Sequence, residues 1–221
     1  MTTTLIQRTI GPRVPATEIE RHGLRYGLPN LMLGVARVLL LVSLFLPYWR
    51  MTLEAPQYPD GLHVTAYVNH LEGDVAEIDG LNHYIGMRPL GEAAQFERAA
   101  SVWIIIAMVL LVEGAAFVHN RWAAVLALPA ILFVPFFLLD LAYWLRTFGQ
   151  NLDPAAPLSS AVKPFTPPVL GVGTVGQFRT IASAGEGLYV AGAAAAVVVL
   201  ALYFHRRAYK PLVERMGAAA S

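Results

Sequence analysis

SVWIIIAMVLLVEGAAFV, residues 101–118, and WAAVLALPAILFVPFFLLDLAYWL, residues 122–145, are separated only by His119, Asn120 and Arg121. Each run approaches or exceeds the roughly 20 apolar residues that carry a helix across a ~30 Å hydrocarbon core. A link this short makes them antiparallel neighbours, a helical hairpin. Pro129 and Pro135 kink the second helix, which a bundle tolerates when neighbouring groups satisfy the freed carbonyls. Two more runs have the same character. LMLGVARVLLLVSLFLPYW, residues 31–49, ends in Tyr48 and Trp49, rings suited to a membrane–water boundary. LYVAGAAAAVVVLALYF, residues 188–204, precedes a basic tail, residues 205–221.

The composition agrees. Of 221 residues, 56% are hydrophobic and 14% charged, where soluble domains carry about 25% charge. The expected fold class is an all-α integral membrane protein of four transmembrane helices. The absence of cysteine excludes disulfides, thiolate zinc sites, iron–sulfur clusters and covalent c-type haem. Residues 1–30 are polar, with a turn around Pro12 and Pro15 and a short interfacial helix from Thr17 that Gly27 and Pro29 break. They lack an early apolar core, so the first apolar run is expected to remain as an anchor. In the last run, small residues recur as Ala191 with Ala195 and Gly192 with Ala196, spacings that admit a close helix neighbour in this chain or in another subunit.

The connectors are residues 50–100 and the Pro/Gly-rich residues 146–186. Together they hold six Lys/Arg against ten acids, while the N-terminal region, the hairpin link and the tail hold nine against three. Basic flanks stay on the cytoplasmic side. Both termini are therefore expected in the cytoplasm of a bacterial or archaeal cell, and both long loops outside its cytoplasmic membrane.

Three charges interrupt the spans: Arg37, Glu113 and Asp140. Ionisable groups at such depth face partners or water. At about 1.5 Å per residue, Arg37 and Glu113 lie at matching depths near the cytoplasmic end, which predicts an ion pair. Asp140 lies near the outer face beside Tyr143 and Trp144, where it can snorkel outward.

The most polar stretch is PQYPDGLHVTAYVNHLEGDVAEIDGLNHYIGM, residues 56–87, which has five acids and no Lys or Arg. LHVTAYVN, residues 62–69, alternates with strand period, placing Leu62, Val64, Ala66 and Val68 on one face. LEGD reads as a turn and VAEI as a returning strand, giving a small β-hairpin. His63, His70 and His83, with Met87 nearby, form a candidate metal set. Imidazole and thioether suit copper when cysteine is absent, and the competing reading is histidines hydrogen-bonded within a loop. His83 and Met87 are four apart, but Gly80 and Gly86 argue against a helix there. GVGTVG, residues 171–176, follows prolines and lacks the strand–helix context of a nucleotide loop; PFTPPVLG, residues 164–171, reads as an extended segment laid along a partner.

The phrases YPDGL, YVNHLEGDV and EIDGLNHYIGM, with PPVLG in the second connector, resemble small bacterial membrane proteins associated with copper-enzyme maturation of the nitrous-oxide-reductase type. The resemblance implies a non-enzymatic accessory or maturation component of an extracytoplasmic copper-linked or respiratory system, with copper as cofactor and its outer loops docking other membrane or extracytoplasmic subunits. It supplies no catalytic motif, and nucleic acid is not an expected partner. The alternatives are a structural transmembrane subunit of a larger complex, or a transporter component using Arg37, Glu113 and Asp140. Reporter domains fused within residues 50–100 and 146–186 are expected to signal from outside the cytoplasm; a cytoplasmic signal from either would overturn the orientation.

Overall fold

The computed structural model describes residues 10–12, 14–175 and 178–218. Arg8 and Arg13 of the charge count, and Gly176 of GVGTVG, lie outside the described residues. In chain order the elements are α1 (Ala16–Ser43), β1 (Trp49–Ala55), β2 (Tyr58–Ala66), β3 (Leu71–Gly73), α2 (Val75–Ile85), a 3-10 turn (Leu90–Glu92), α3 (Gln95–Phe117), α4 (Trp122–Gln150), β4 (Gly171–Val175), β5 (Phe178–Ala184) and α5 (Glu186–Ala218).

Among the described residues four helices, α1, α3, α4 and α5, are long and apolar enough to cross a membrane. The shortest, α3, has 23 residues, about 35 Å of helix, which covers the ~30 Å apolar layer. The chain divides into two compact units. The first comprises Met1–Val42, Ile104–Phe133 and Val190–Ser221, the second Ser43–Trp103 and Val134–Tyr189.

In the first unit, α1 starts well before the apolar run and continues through Gly27 and Pro29, with non-helical angles only at His22 (φ −135°). Proline removes one helix hydrogen bond and bends the axis, but here it does not end the helix. Near its start, Tyr26 meets Tyr209 of α5 edge to face at 5.5 Å, and Val14 and Leu212 pack around them. On α5 the buried small residues include Ala191, Ala194, Ala201 and Ala208, with Val198 among them. This stripe is covered within the chain, whereas Ala196 is exposed.

In the second unit, both connectors contribute to one antiparallel sheet of order β3-β2-β1-β5-β4. The expected small β-hairpin is thus part of a larger sheet, to which the Pro/Gly-rich connector contributes β4 and β5. Two strands alone are marginal in water, and the second connector supplies the strands that complete the sheet. Helix α1 stops at Ser43, and Tyr48 and Trp49 lie beyond it as core residues, 0% and 4% exposed. The Tyr48 hydroxyl donates to Ser43 Oγ at 2.8 Å, the ring packs on Phe137 at 5.0 Å, and burial pushes its pKa up to about 12. The chain turns here from helix to strand around one buried phenol.

VAEI is not a returning strand. It opens α2, which buries Ile78, Asn82 and Ile85, a spacing of four and three that fits a helix face and not a strand. Gly80 is accommodated inside, and Gly86, at φ +79°, ends the helix in the left-handed conformation glycine adopts without penalty. The helix is aligned by its preceding residue: Asp74 N–H donates to the His63 carbonyl, and Asp74 Oδ2 accepts from His63 N–H, both at 2.7 Å. Between them sits Gly73, φ +98°, where a Cβ would stand 2.2 Å from the His63 carbonyl oxygen. Gly73→Ala is expected to cost about 1–3 kcal/mol, read as a lowered unfolding midpoint of the detergent-purified protein; an unchanged midpoint would contradict this turn geometry.

Candidate functional site

Strand register decides what the sheet presents on each side. Opposed residues of an antiparallel pair share a face. Met51 opposes Val64 and Ala182, and Leu53 opposes Leu62 and Thr180. These residues form the inner face, with Trp49 and Ala66. The outer face carries Arg50, Thr52, Glu54 and His63, where Arg50 makes a two-pronged ion pair with Glu186 and Glu54 meets Arg179 at 3.3 Å.

Against the inner face lie the Ile78, Leu81, Asn82 and Ile85 face of α2 and one stripe of α4, Leu141, Trp144, Leu145 and Phe148. Trp144 and Phe148 meet edge to face at 5.7 Å, and Phe165 and Pro167 close one side. These layers leave a cavity of about 140 Å³ with almost entirely apolar walls and no charged residue in its lining. That is close to an engineered apolar cavity of roughly 150 Å³ that takes up benzene.

Two polar side chains break the apolar lining. Asn82 is 6% exposed and Thr180 is 4% exposed. Among the described residues, Asn82 Nδ2 and Thr180 Oγ1 have no hydrogen-bond partner, and neither has the indole Nε1 of Trp144 in the same lining. A buried polar atom without a partner costs about 1–3 kcal/mol, so three among the residues of one cavity are what a bound group would satisfy. The cavity can hold one ring-sized apolar group bearing an oxygen: the Asn82 amide donates, and the Thr180 hydroxyl donates or accepts.

The residues singled out by sequence lie elsewhere. His63 is on the outer face, its Nδ1 3.0 Å from Thr52 Oγ1. His70 stacks on Tyr67 at 4.4 Å, with its ring nitrogens at 2.7 Å from Asn69 Oδ1 and 3.1 Å from Glu72 Oε1. His83 is exposed on α2. Met87 is 9% exposed and packs with Ile85 and Phe148. Among the described residues no three of His, Asp and Glu come together to hold a metal. His63, His70, His83 and Met87 are therefore not gathered into one site: His63 and His70 are engaged locally, His83 is exposed on α2, and the thioether packs in the core. Arg37 and Glu113 meet as an ion pair in the first unit. Asp140 belongs to the second unit, one turn before Trp144 on α4.

Asn82 and Thr180 were missed because each reads as an isolated polar residue. The available signal was phase: Thr180 falls between Phe178 and Ala182 on the inward side of β5, and Asn82 sits between Ile78 and Ile85 on the buried side of α2.

By its four helices the chain is a multi-pass membrane protein. No protein-family model, curated protein or solved structure matches it, so its function is argued from this geometry. Thr180→Val keeps the side-chain shape and removes the unpartnered oxygen. It is expected to raise stability by about 1 kcal/mol in thermal unfolding of ligand-free protein; a lowered midpoint would show that the hydroxyl is satisfied within the protein.

Proposed function

We propose that this chain is a membrane-anchored accessory protein whose sheet stands outside the bilayer and helps to hold an uncharged amphiphile, an apolar body with a carbonyl or hydroxyl oxygen. The observation that carries this reading is the apolar cavity in which Asn82 Nδ2 and Thr180 Oγ1 are buried without partners. The uncharged lining argues against a charged headgroup, because an unpaired charge is costly to desolvate. One wall belongs to α4, itself long and apolar enough to cross the membrane, so an amphiphile drawn from the bilayer reaches the cavity along a helix it already touches. The reading is of binding rather than turnover: the lining contains no acid, His or Lys to move a proton. The basic flanks favour cytoplasmic termini, and the resemblance of residues 58–87 favours service to an extracytoplasmic respiratory or copper-linked system. In that role the chain would handle the amphiphile and not the metal.

The test is calorimetric titration of the purified chain with acetophenone, a benzene-sized ring bearing one carbonyl. Saturable binding at one site is expected. Ala66→Phe, which fills the cavity, should abolish it, and Asn82→Leu with Thr180→Val should weaken it by about tenfold or more, at roughly 1 kcal/mol per hydrogen bond. Non-saturating uptake that is identical in all three proteins would overturn the reading.

A further inference from the structure

The first unit holds a second recess of different chemistry. A groove of about 810 Å³ is lined by the α3–α4 link, the start of α4 and the Val199–Glu214 part of α5. Its cations are Arg121, Arg206 and Lys210, and its acid is Glu214, which pairs with Lys210 at 3.6 Å. Among the described residues Arg121 and Arg206 have no acidic partner within ion-pair distance.

The groove also includes a stack of rings. His119 lies 4.0 Å from Tyr209 with planes 7° apart, and His205 lies 4.6 Å from Tyr209. His205 is 4% exposed. Among the described residues His205 Nε2 and His119 Nδ1 are buried without partners. Burial holds the His119 pKa below the ordinary histidine value, partly offset by a hydrogen bond with the Pro12 backbone. The stack is clamped from outside the groove: His119 N–H donates to the Ile10 carbonyl at 2.6 Å, and Gly11, at φ +99°, leaves only 3.0 Å for a Cβ beside His119 Cβ.

We infer that this groove binds an anionic, phosphate-bearing amphiphile: Arg121 and Arg206 face the phosphate, and Val199, Leu202 and Trp122 lie along its chains. Guanidinium groups match phosphate oxygens in geometry as well as charge. Depth points to the same ligand. The link that carries His119 and Arg121 joins two spans directly, so it lies at headgroup level, where basic pockets between helices take anionic lipid.

The test is native mass spectrometry of the full chain released from micelles containing phosphatidylglycerol, phosphatidylcholine or inorganic phosphate. One phosphatidylglycerol per chain is expected to be retained in preference to phosphatidylcholine. Arg121→Gln and Arg206→Gln should each weaken retention about fivefold, with recovery in the Lys variants. Arg88→Gln, in the other unit, should leave it unchanged. Competition by inorganic phosphate would show that the phosphate group alone is read, and lipid retention without such competition would show that the whole lipid is needed; either supports the inference. Equal retention of the two lipids, or an Arg121→Gln/Arg206→Gln protein that folds and binds phosphatidylglycerol normally, would overturn it.

Discussion

Between Trp49 opposite Ala184 and Glu54 opposite Arg179, β1 and β5 form a ladder that joins the two long connectors of a four-helix membrane chain. Without it, β1 and β2 would be a hairpin with one face uncovered, and β4 and β5 a second. With it, the inner faces of both hairpins become one apolar surface, and α2 and α4 cover it. The corner at Tyr48 sets the start of the ladder: the Tyr48 N–H donates to Ala66 O and its carbonyl accepts from Gly185 N–H. Gly185 leaves no room for a Cβ, which would stand 2.2 Å from the Pro47 carbonyl oxygen. Cavity, outer charged face and helix placement within this unit all follow from that junction.

The spans were legible because about 20 consecutive apolar residues have few other destinations. Their ends were not. Tyr48 and Trp49 have the composition of boundary residues, yet tertiary pairing draws them into a strand and a core. LHVTAYVN revealed its buried face through strict alternation, and Leu62, Val64, Ala66 and Val68 are indeed all buried. The strands of the second connector were hidden by glycine, which weakens strand propensity even though GVGTV pairs fully with β5. For α2 the cue lies in the spacing of Val75, Ile78, Asn82 and Ile85, a helical period that Gly80 and Gly86 obscure.

The candidate sites show a more basic limit. Histidines and methionine attract notice because they are chemically distinctive, and in this chain they are spread between an outer face, a turn, a helix surface and a core. Asn82 and Thr180 become informative only once register and helix phase show what surrounds them. The converse holds for His119 and His205, which are far apart in sequence and acquire a shared environment only when α5 brings His205 and Tyr209 against His119. A polar residue's significance here depends on its unmet hydrogen bonds, a property of the assembled fold.

The Arg50–Glu186 pair, beside the same ladder, joins residues 136 positions apart. At roughly 5–20 residues per second of synthesis, β1 waits about 7–27 s for β5 to be made. During that interval α3 and α4 must enter the membrane while β1 offers an unpaired edge and the apolar side chains of Trp49, Met51 and Leu53. The sheet is thus completed late, by its most distant partner, and the nascent protein carries an adhesive strand for most of its own synthesis. Its yield in a cell is set by how well that strand is shielded as much as by the stability of the finished fold.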